Sequence, residues 1–269
     1  MVQDIFKDKV VVITGASTGI GEALAHQLAA QGAWLGLGAR NAERLAEVTT
    51  ACQKHGGRAL AATTDVTDPA QCGALIQKTV DSYGRIDMLV NNAGQTMFAI
   101  FEEVRDLSIF EQLMRVNYLG SVYCTYYALP HLKKARGRLV GVCSLTGKNG
   151  VPTRSGYAAS KHAMVGFFDT LRIELAPHQV SVTMAYPDFV ATGMRVRALD
   201  PDGQPLGRTT VEESKTMPVE TCAQLILRAA ERRQREVVMS GRAQLGQWLK
   251  LIAPGLVDRI AAQAIKTGH

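Results

Sequence analysis

From Val10 to about Ser240 short apolar runs alternate with longer amphipathic segments, and this alternation constrains the fold more than any other feature of the chain. The apolar runs are Val10–Ile13, Trp34–Gly38, Ala59–Ala62, Ile86–Val90, Leu139–Cys143, Val180–Ala185 and Val237–Met239. Each is too short for a typical helix and several are rich in Val, so they predict strands. Helices are predicted between them near Gly19–Gln31, Ala42–Lys54, Pro69–Tyr83, Leu107–Leu132, Ser155–Leu175 and Val219–Arg232. Strands that are apolar throughout and separated by helices imply a parallel sheet covered on both faces. The expected fold is therefore α/β and doubly wound, with about seven strands in its sheet.

No internal repeat, low-complexity tract or Pro/Ser-rich linker divides the chain, so residues 1–240 read as one domain. Two stretches break the alternation. Residues 188–217, from Asp188 to Met217, are polar, contain Pro201, Gly203, Pro205 and Gly207, and read as a mobile lid. Residues 241–269 form the other. There Leu245, Trp248, Leu249 and Ile252 recur at helical spacing, and Leu256, Val257, Ile260, Ala261 and Ala264 make a second apolar face beyond Pro254-Gly255. Two short amphipathic helices are expected, with Lys250, Asp258, Arg259 and Lys266 interrupting any run long enough to cross a bilayer. Their apolar faces need covering, either by the protein's own substrate rim or a dimer partner, or by a membrane interface reached with help from Arg228, Arg232, Arg233, Arg235 and Arg242.

Composition narrows the function classes. With 269 residues, 46% hydrophobic and 20% charged, the chain can bury a full core and is not globally disordered. The five cysteines, Cys52, Cys72, Cys124, Cys143 and Cys222, never form C-x-x-C, so buried thiols in a reducing compartment are expected rather than a disulfide or zinc framework. The formal charge of +6 is scattered, as on a solvated basic surface, and does not form a nucleic-acid-binding stripe. The polar stretch Met1–Lys9 runs into a short apolar segment, Val10–Thr14, which fits neither a signal peptide nor a span, so a cytoplasmic protein is expected.

Chemistry is concentrated behind particular strands. The first is followed by Thr14-Gly15-Ala16-Ser17-Thr18-Gly19-Ile20-Gly21 and then a helix, an order that brings backbone N–H groups and a helix dipole to a pyrophosphate. The second ends in Ala39-Arg40-Asn41, where Arg40 can pair with a 2′-phosphate and no carboxylate stands beside it, so the expected cofactor is NADP(H). Tyr157 and Lys161 stand at i and i+4 on a predicted helix and share a face. An ammonium beside a phenol stabilises the phenolate form, which makes a usable acid/base. Ser144 follows the strand Leu139–Cys143 at the same sheet edge, where its hydroxyl can donate to a substrate oxygen.

Gly15, Gly19 and Gly21, Asp65, Asn91-Asn92-Ala93-Gly94, Asn117, Ser144 and Tyr157-x-x-x-Lys161, in that order over about Lys9–Ser240, resemble the short-chain dehydrogenase/reductase family. The carboxyl-terminal helices are similar to those of its hydroxysteroid-dehydrogenase-like branch. The resemblance implies a Rossmann-type fold, with Gly15, Ser17, Thr18, Gly19, Ile20 and Gly21 on the pyrophosphate and with Asp65 and the Val66 amide on the adenine. Asn92, Ala93 and Gly94 are implied at the cofactor, with the pair Asn91-Asn92 either contacting it directly or tying the fourth strand to the glycine loop, and Pro187, Val190 and Thr192 lie near the nicotinamide. Tyr157 is implied as proton donor and acceptor, and Lys161 as its tuning group with a grip on the nicotinamide ribose. The Asn117 carbonyl is implied to hold a relay water, and hydride passes directly between cofactor and substrate with no metal needed. The family usually reads Pro-Gly where this chain has Pro187-Asp188, so Asp188 either disturbs that loop, selects a polar group of the substrate, or is harmless. Helices corresponding to Leu107–Leu132 and Ser155–Leu175 pair across subunits in the family, implying a homodimer or homotetramer.

The expected function is interconversion of a ketone and a secondary alcohol on a mainly apolar small molecule. Its pocket is expected to include Gln95, Met97, Phe98, Leu145, Val151, Pro152, Tyr186 and the lid. The alternative is a catalytically idle NADP sensor; such proteins commonly lose the Tyr or Lys that this chain keeps.

Overall fold

The computed structural model describes residues 5–54, 56–208 and 216–266. Its strands are β1 (Val10–Thr14), β2 (Trp34–Ala39), β3 (Arg58–Thr63), β4 (Met88–Asn91), β5 (Arg138–Val142), β6 (Ser181–Tyr186) and β7 (Glu236–Val238). They form one seven-stranded parallel sheet in the order β3-β2-β1-β4-β5-β6-β7. The helices are α1 (Gly19–Ala30), α2 (Ala42–Lys54), α3 (Pro69–Tyr83), α4 (Ser108–Met114), α5 (Gly120–Ala135), α6 (Ser155–Leu175), α7 (Val219–Glu231), α8 (Gly241–Ile252) and α9 (Pro254–Lys266).

β1 shows why its sequence is apolar from Val10 to Ile13. Val11 and Ile13 pack on one face with Leu24 and Leu28 of α1, Leu45 of α2 and Ile226 of α7. Val10 and Val12 point the other way, toward Leu75 of α3, Leu132 of α5 and Phe168 of α6. Each such side chain contributes roughly 1.5–3 kcal/mol on full burial, so a polar residue at either phase would open one of the two cores. Local signals agree with the tertiary ones. At α3 the Asp68 carboxylate accepts from the Ala70 and Gln71 amides, Pro69 opens the helix, and Gly84 at φ 75° ends it. All five cysteines are buried and free.

The helix expected over Leu107–Leu132 is not uniform. It runs as α4, a π turn at Arg115–Leu119, and α5. The wider turn places Asn117, whose amide nitrogen donates to the Gln95 carbonyl at 2.9 Å and to Ser160 Oγ at 2.8 Å, across to α6.

The described part of the polar stretch after β6 is fastened across the sheet edge rather than loose. Val190 bridges Met217, Met97 bridges Leu199, and Arg105 pairs with Asp202. The remainder of the expected lid, 209–215, lies outside the described residues.

Helices α8 and α9 meet the prediction of two helices broken at Pro254. Polar contacts dock α8 on the body: Lys148 donates to Gln247 Oε1 at 3.3 Å, and Lys250 donates to the Lys148 carbonyl at 2.6 Å. Leu249 is half-buried, while Leu245, Trp248 and Ile252 stay uncovered at 70%, 69% and 83% exposure. Arg233 is engaged by the carbonyls of Arg136, Gly137 and Gln179, and Arg235 by Asp169, so these two do not extend a basic patch beside α8. Among the described residues no helix is long and apolar enough to cross a membrane.

Candidate functional site

The strand order reverses between β1 and β4, and their carboxyl ends open a crevice there, the position at which open α/β sheets take ligands. Gly15 and Gly19 adopt φ 64° and 60°, a region that costs L-residues energy, so the turn from β1 into α1 depends on glycine at both. A Cβ on Gly15 would lie 2.8 Å from the Ala93 Cα, and one on Gly21 would lie 2.2 Å from the Gly15 carbonyl oxygen. The Thr18 side chain does not cap α1, so the first-turn N–H groups are left for an anion.

Asn92 settles what ties β4 to that loop. Its Nδ2 donates to the Thr14 and Gly15 carbonyls at 3.0 and 3.1 Å, while Thr14 Oγ1 accepts from the Asn92 and Ala93 amides at 3.0 and 3.1 Å. Asn91 turns inward and donates to Thr125 Oγ1 at 3.0 Å. Beyond β3, the Asp65 carboxylate accepts from the amide and hydroxyl of Thr67 at 2.9 and 2.8 Å, which fixes its direction. Val66 is buried beside Gly120, where a Cβ would come within 2.7 Å of Val66 Cγ2. Arg40 is exposed one residue past β2, and no carboxylate pairs with it among the described residues.

Tyr157 and Lys161 lie on the first turns of α6, both buried. The Lys161 ammonium stands 5.8 Å from the Tyr157 ring centre and donates to the Val142 carbonyl at 3.0 Å. Ser144, two residues beyond β5, accepts a 3.3 Å hydrogen bond from the Thr146 amide, which leaves its own proton to be given elsewhere. Gly94 completes this corner: a Cβ there would lie 3.2 Å from Asn117 Oδ1 and 3.6 Å from Lys161 Nζ. Thus glycine loop, Asn92–Gly94, Ser144, Tyr157, Lys161 and Asn117 share one sheet edge. The Asn117 carbonyl accepts from the Ser121 hydroxyl at 3.0 Å.

Past β6, Pro187 is buried and its carbonyl accepts from the Leu145 amide at 3.1 Å, joining the β5 and β6 loops. Asp188 does not occupy the left-handed region, so replacement of the usual glycine strains nothing, and its carboxylate accepts from Ser240 Oγ at 3.1 Å. Thr192 packs against the glycine loop, 3.1 Å from where a Gly19 Cβ would be, and Val190 is buried below it. Two expected pocket residues fall elsewhere. Tyr186 is 1% exposed and lies under the Lys148 ammonium, a core position set by its inward phase on β6. Met97 is sealed beneath Tyr157 with Ile109, Leu113 and Leu199, and supports the tyrosine from behind. Gln95 accepts from Gln112 at 2.9 Å, Leu145, Val151 and Phe98 are half-buried, and Pro152 is exposed.

Three arginines at this edge escaped the motif reading. Arg197 donates to Thr18 Oγ1 at 3.2 Å and so stands on the glycine loop. Arg195 lies with its guanidinium carbon 5.0 Å from the Phe189 ring centre, and Arg154 sits 3.6 Å from that of Phe98. The available signal was local: Arg154 is a cation three residues before Tyr157, and Arg195 and Arg197 lie in the polar stretch after β6.

The sequence profile of the short chain dehydrogenase family matches residues 9–202. An "11-beta-hydroxysteroid dehydrogenase-like 4A" of Arabidopsis thaliana is 38% identical over 250 residues, which cover 93% of this chain and 82% of that protein. An "11-beta-hydroxysteroid dehydrogenase A" of Sesamum indicum is 35% identical over 259 residues, covering 93% of this chain and 73% of its own length. Among solved structures, a short chain dehydrogenase/reductase from Burkholderia phymatum in complex with NAD superposes with TM-score 0.83 at 25% identity, over 93% of this chain and 95% of the other. An alcohol dehydrogenase from Thermococcus sibiricus complexed with 5-hydroxy-NADP gives TM-score 0.73 at 28% identity, over 85% and 94%.

Proposed function

The chain belongs to the short-chain dehydrogenase family and is an oxidoreductase of that family, and from this premise we propose that it interconverts a ketone and a secondary alcohol on a mainly apolar small molecule with NADP(H). One observation carries the reading: Ser144, Tyr157 and Lys161 converge beside an uncapped helix amino terminus, with the ammonium anchored on Val142 and 5.8 Å from the Tyr157 ring centre. When bound, the nicotinamide supplies or takes the hydride. Tyr157 gives its phenolic proton to the carbonyl oxygen, or takes one from the alcohol, and Ser144 donates to that same oxygen. Lys161 places its positive charge beside the Tyr157 ring and holds the nicotinamide ribose. The Asn117 carbonyl keeps a relay water.

Cofactor recognition follows the same edge. The uncapped α1 fits a pyrophosphate, with Gly15, Ser17, Thr18, Gly19, Ile20 and Gly21 around it. Asp65 and the Val66 amide hold the adenine, Asn92, Ala93 and Gly94 wall the crevice, and Pro187, Val190 and Thr192 border the nicotinamide. Arg40 takes the 2′-phosphate, and Arg197 adds a second cation over Thr18. Both NAD and an NADP derivative are held by structural relatives, so the preference for NADP(H) rests on Arg40. The hydroxysteroid names of the sequence relatives support a bulky apolar substrate, with Ser144, Leu145, Gln95, Phe98 and Val151 near it.

Assembly as a homodimer or homotetramer is supported by apolar side chains left open on α5 and α6, Tyr126 72% and Ile173 78% exposed. Residues 1–240 are proposed as the catalytic domain and 241–269 as a helical extension that touches membrane surfaces weakly. A panel of hydrophobic ketones and secondary alcohols, followed by absorbance of NADPH and of NADH, tests the reading. NADPH-dependent turnover of at least one apolar pair is expected; NADPH binding without turnover of any would identify the idle sensor instead.

A further inference from the structure

Arg154 closes the loop into α6, one turn before Tyr157. Its guanidinium carbon lies 3.6 Å from the Phe98 ring centre and 5.9 Å from that of Tyr157, and Nη1 donates to Thr96 Oγ1 at 2.9 Å. Since the Lys161 ammonium stands 5.8 Å from the same tyrosine ring centre, two cations flank the phenol at nearly equal distances. Lys161 is accounted for by the proposed chemistry. Arg154 is not.

Other arginines of this protein show what a structural guanidinium looks like. Arg233 fills its fork with the carbonyls of Arg136, Gly137 and Gln179, and Arg105 pairs with the Asp202 carboxylate. Arg154 has a single hydroxyl partner, no ion pair among the described residues, and no acid in the first turn of its helix. It is half-buried, where water solvates a cation incompletely. Burial pushes its guanidinium down to about 10, and the Arg195 charge works in the same direction while Tyr157 opposes it. The backbone is also strained to hold it there: the preceding Thr153 sits at φ 67°, a conformation costly for a β-branched residue, and its carbonyl is held by the Ala99 amide at 3.0 Å.

We propose that Arg154 is a specificity-determining residue that receives a carboxylate of the substrate, a few bonds from the reacting carbonyl. Stacking on Phe98 fixes the plane of the guanidinium and leaves its N–H edge to match a planar, two-oxygen anion. The cofactor phosphates do not fill this role, because they belong to the β1 and β2 side of the crevice, at Thr18 and Arg40, whereas Arg154 stands with β5 and α6. The substrate is therefore an amphipathic acid: apolar along Phe98, Leu145 and Val151, with one negative end. This rests on the reading that Tyr157 marks the reacting carbon.

The test uses aryl and medium-chain alkyl carboxylates, each matched with its methyl ester, titrated calorimetrically into the full-length protein with NADP⁺. At least one acid is expected to bind tenfold or more tightly than its ester, and Arg154→Gln is expected to erase that advantage while NADP⁺ binding persists. Arg154→Lys, which keeps the charge and removes the fork, is expected to retain only part of it and serves if the Gln variant does not fold. Equal binding of acids and esters, no binding of any acid, or an advantage that survives both substitutions would overturn the proposal. Keto acids and keto esters, followed by NADPH absorbance, separate the two readings. Acid discrimination without turnover removes the ketone chemistry and leaves the anion site, and turnover without discrimination does the reverse.

Discussion

Lys161, 3% exposed, donates a 3.0 Å hydrogen bond from its ammonium to the carbonyl of Val142, the last residue of β5. A cation this deep is held by one carbonyl and by the Met164 thioether at 3.9 Å, with no carboxylate bonded to it. Two residues beyond Val142 stands Ser144, so one strand end fixes both the ammonium and the hydroxyl of the candidate site.

Lys161→Met is therefore expected to separate function from folding. Losing the hydrogen bond to Val142 is offset by removing a poorly solvated charge, so the thermal midpoint should move by less than about 4 °C. Turnover should vanish and NADPH affinity should fall by roughly 10–100-fold, the worth of a charge-assisted hydrogen bond. Calorimetry and fluorescence titration measure the two effects, and retained turnover would remove Lys161 from the mechanism.

Tyr157→Phe deletes only the phenolic hydroxyl, and kcat should drop by about 10²–10⁴ with the NADPH dissociation constant within twofold. Ser144→Ala should cost about 10²–10³ in kcat, because a donor aimed at the carbonyl oxygen acts mainly in the transition state. Stopped-flow traces of NADPH consumption distinguish chemistry from release in both variants.

Exchange of Arg40 for Asp should shift the ratio of kcat/KM from NADPH toward NADH, since the new carboxylate repels a 2′-phosphate and accepts ribose hydroxyls. Arg197→Met should weaken both cofactors alike, because Arg197 stands on Thr18 of the glycine loop rather than beside β2. An Arg197 variant that discriminated between NADPH and NADH would place that guanidinium at the ribose instead.

How much of this was legible in the chain depends on the distance over which each feature is decided. β1 could be read because both of its faces are buried, so Val10–Ile13 must be apolar throughout. Helix α3 could be read because Asp68-Pro69 and Gly84 are local signals. Ser144, Tyr157 and Lys161 were readable by motif, and the two roles considered for Asn92 were narrowed only by its bonds to Thr14 and Gly15. The π turn at Arg115–Leu119 was not readable, since Asn117 is drawn to Gln95 and Ser160 by contacts from other elements. Arg197 reaches Thr18 across 179 positions, and Arg154 reaches Thr96 across 58; no periodicity encodes such pairs. Tyr186 was misplaced because its neighbour in sequence, Pro187, borders the crevice while its own side chain turns into the core.

The buried thiols give a pH dependence with a defined sign. Burial and the Glu22 charge push Cys52 up to about 11, and burial pushes Cys222 up to about 12. A thiol raised in the fold contributes its full stability below the ordinary value near 9, and this is lost as pH rises toward 11 and 12, because the unfolded chain ionises first. Urea unfolding should show stability falling above pH 9, less steeply in Cys52→Ala. At pH 8 the native protein should resist a thiol-modifying disulfide reagent at all five cysteines and react at all five once unfolded.

Helix α8 presents the last expectation. Its polar contacts through Gln247 and Lys250 hold it on the loop containing Lys148, while Leu245, Trp248 and Ile252 face outward. The body leaves most of that face uncovered, and the expected cover is a second copy or a lipid interface. Leu256 and Ile260 continue the exposed apolar surface onto α9, and Arg228 and Arg232 are exposed on and beside α7, which favours anionic lipid headgroups. Neither α8 nor α9 has the ~20 apolar residues of a span, so binding through them should be weak and peripheral. Sedimentation with anionic liposomes should therefore be measurable at low salt, decline as salt screens the arginines, and disappear on truncation after Ser240. Light scattering of the same truncation separates the covers: loss of liposome binding with an unchanged oligomer assigns the face to membrane, and collapse to a monomer assigns it to the partner copy. An intact protein that stays in the supernatant with anionic liposomes at low salt would exclude the membrane contact.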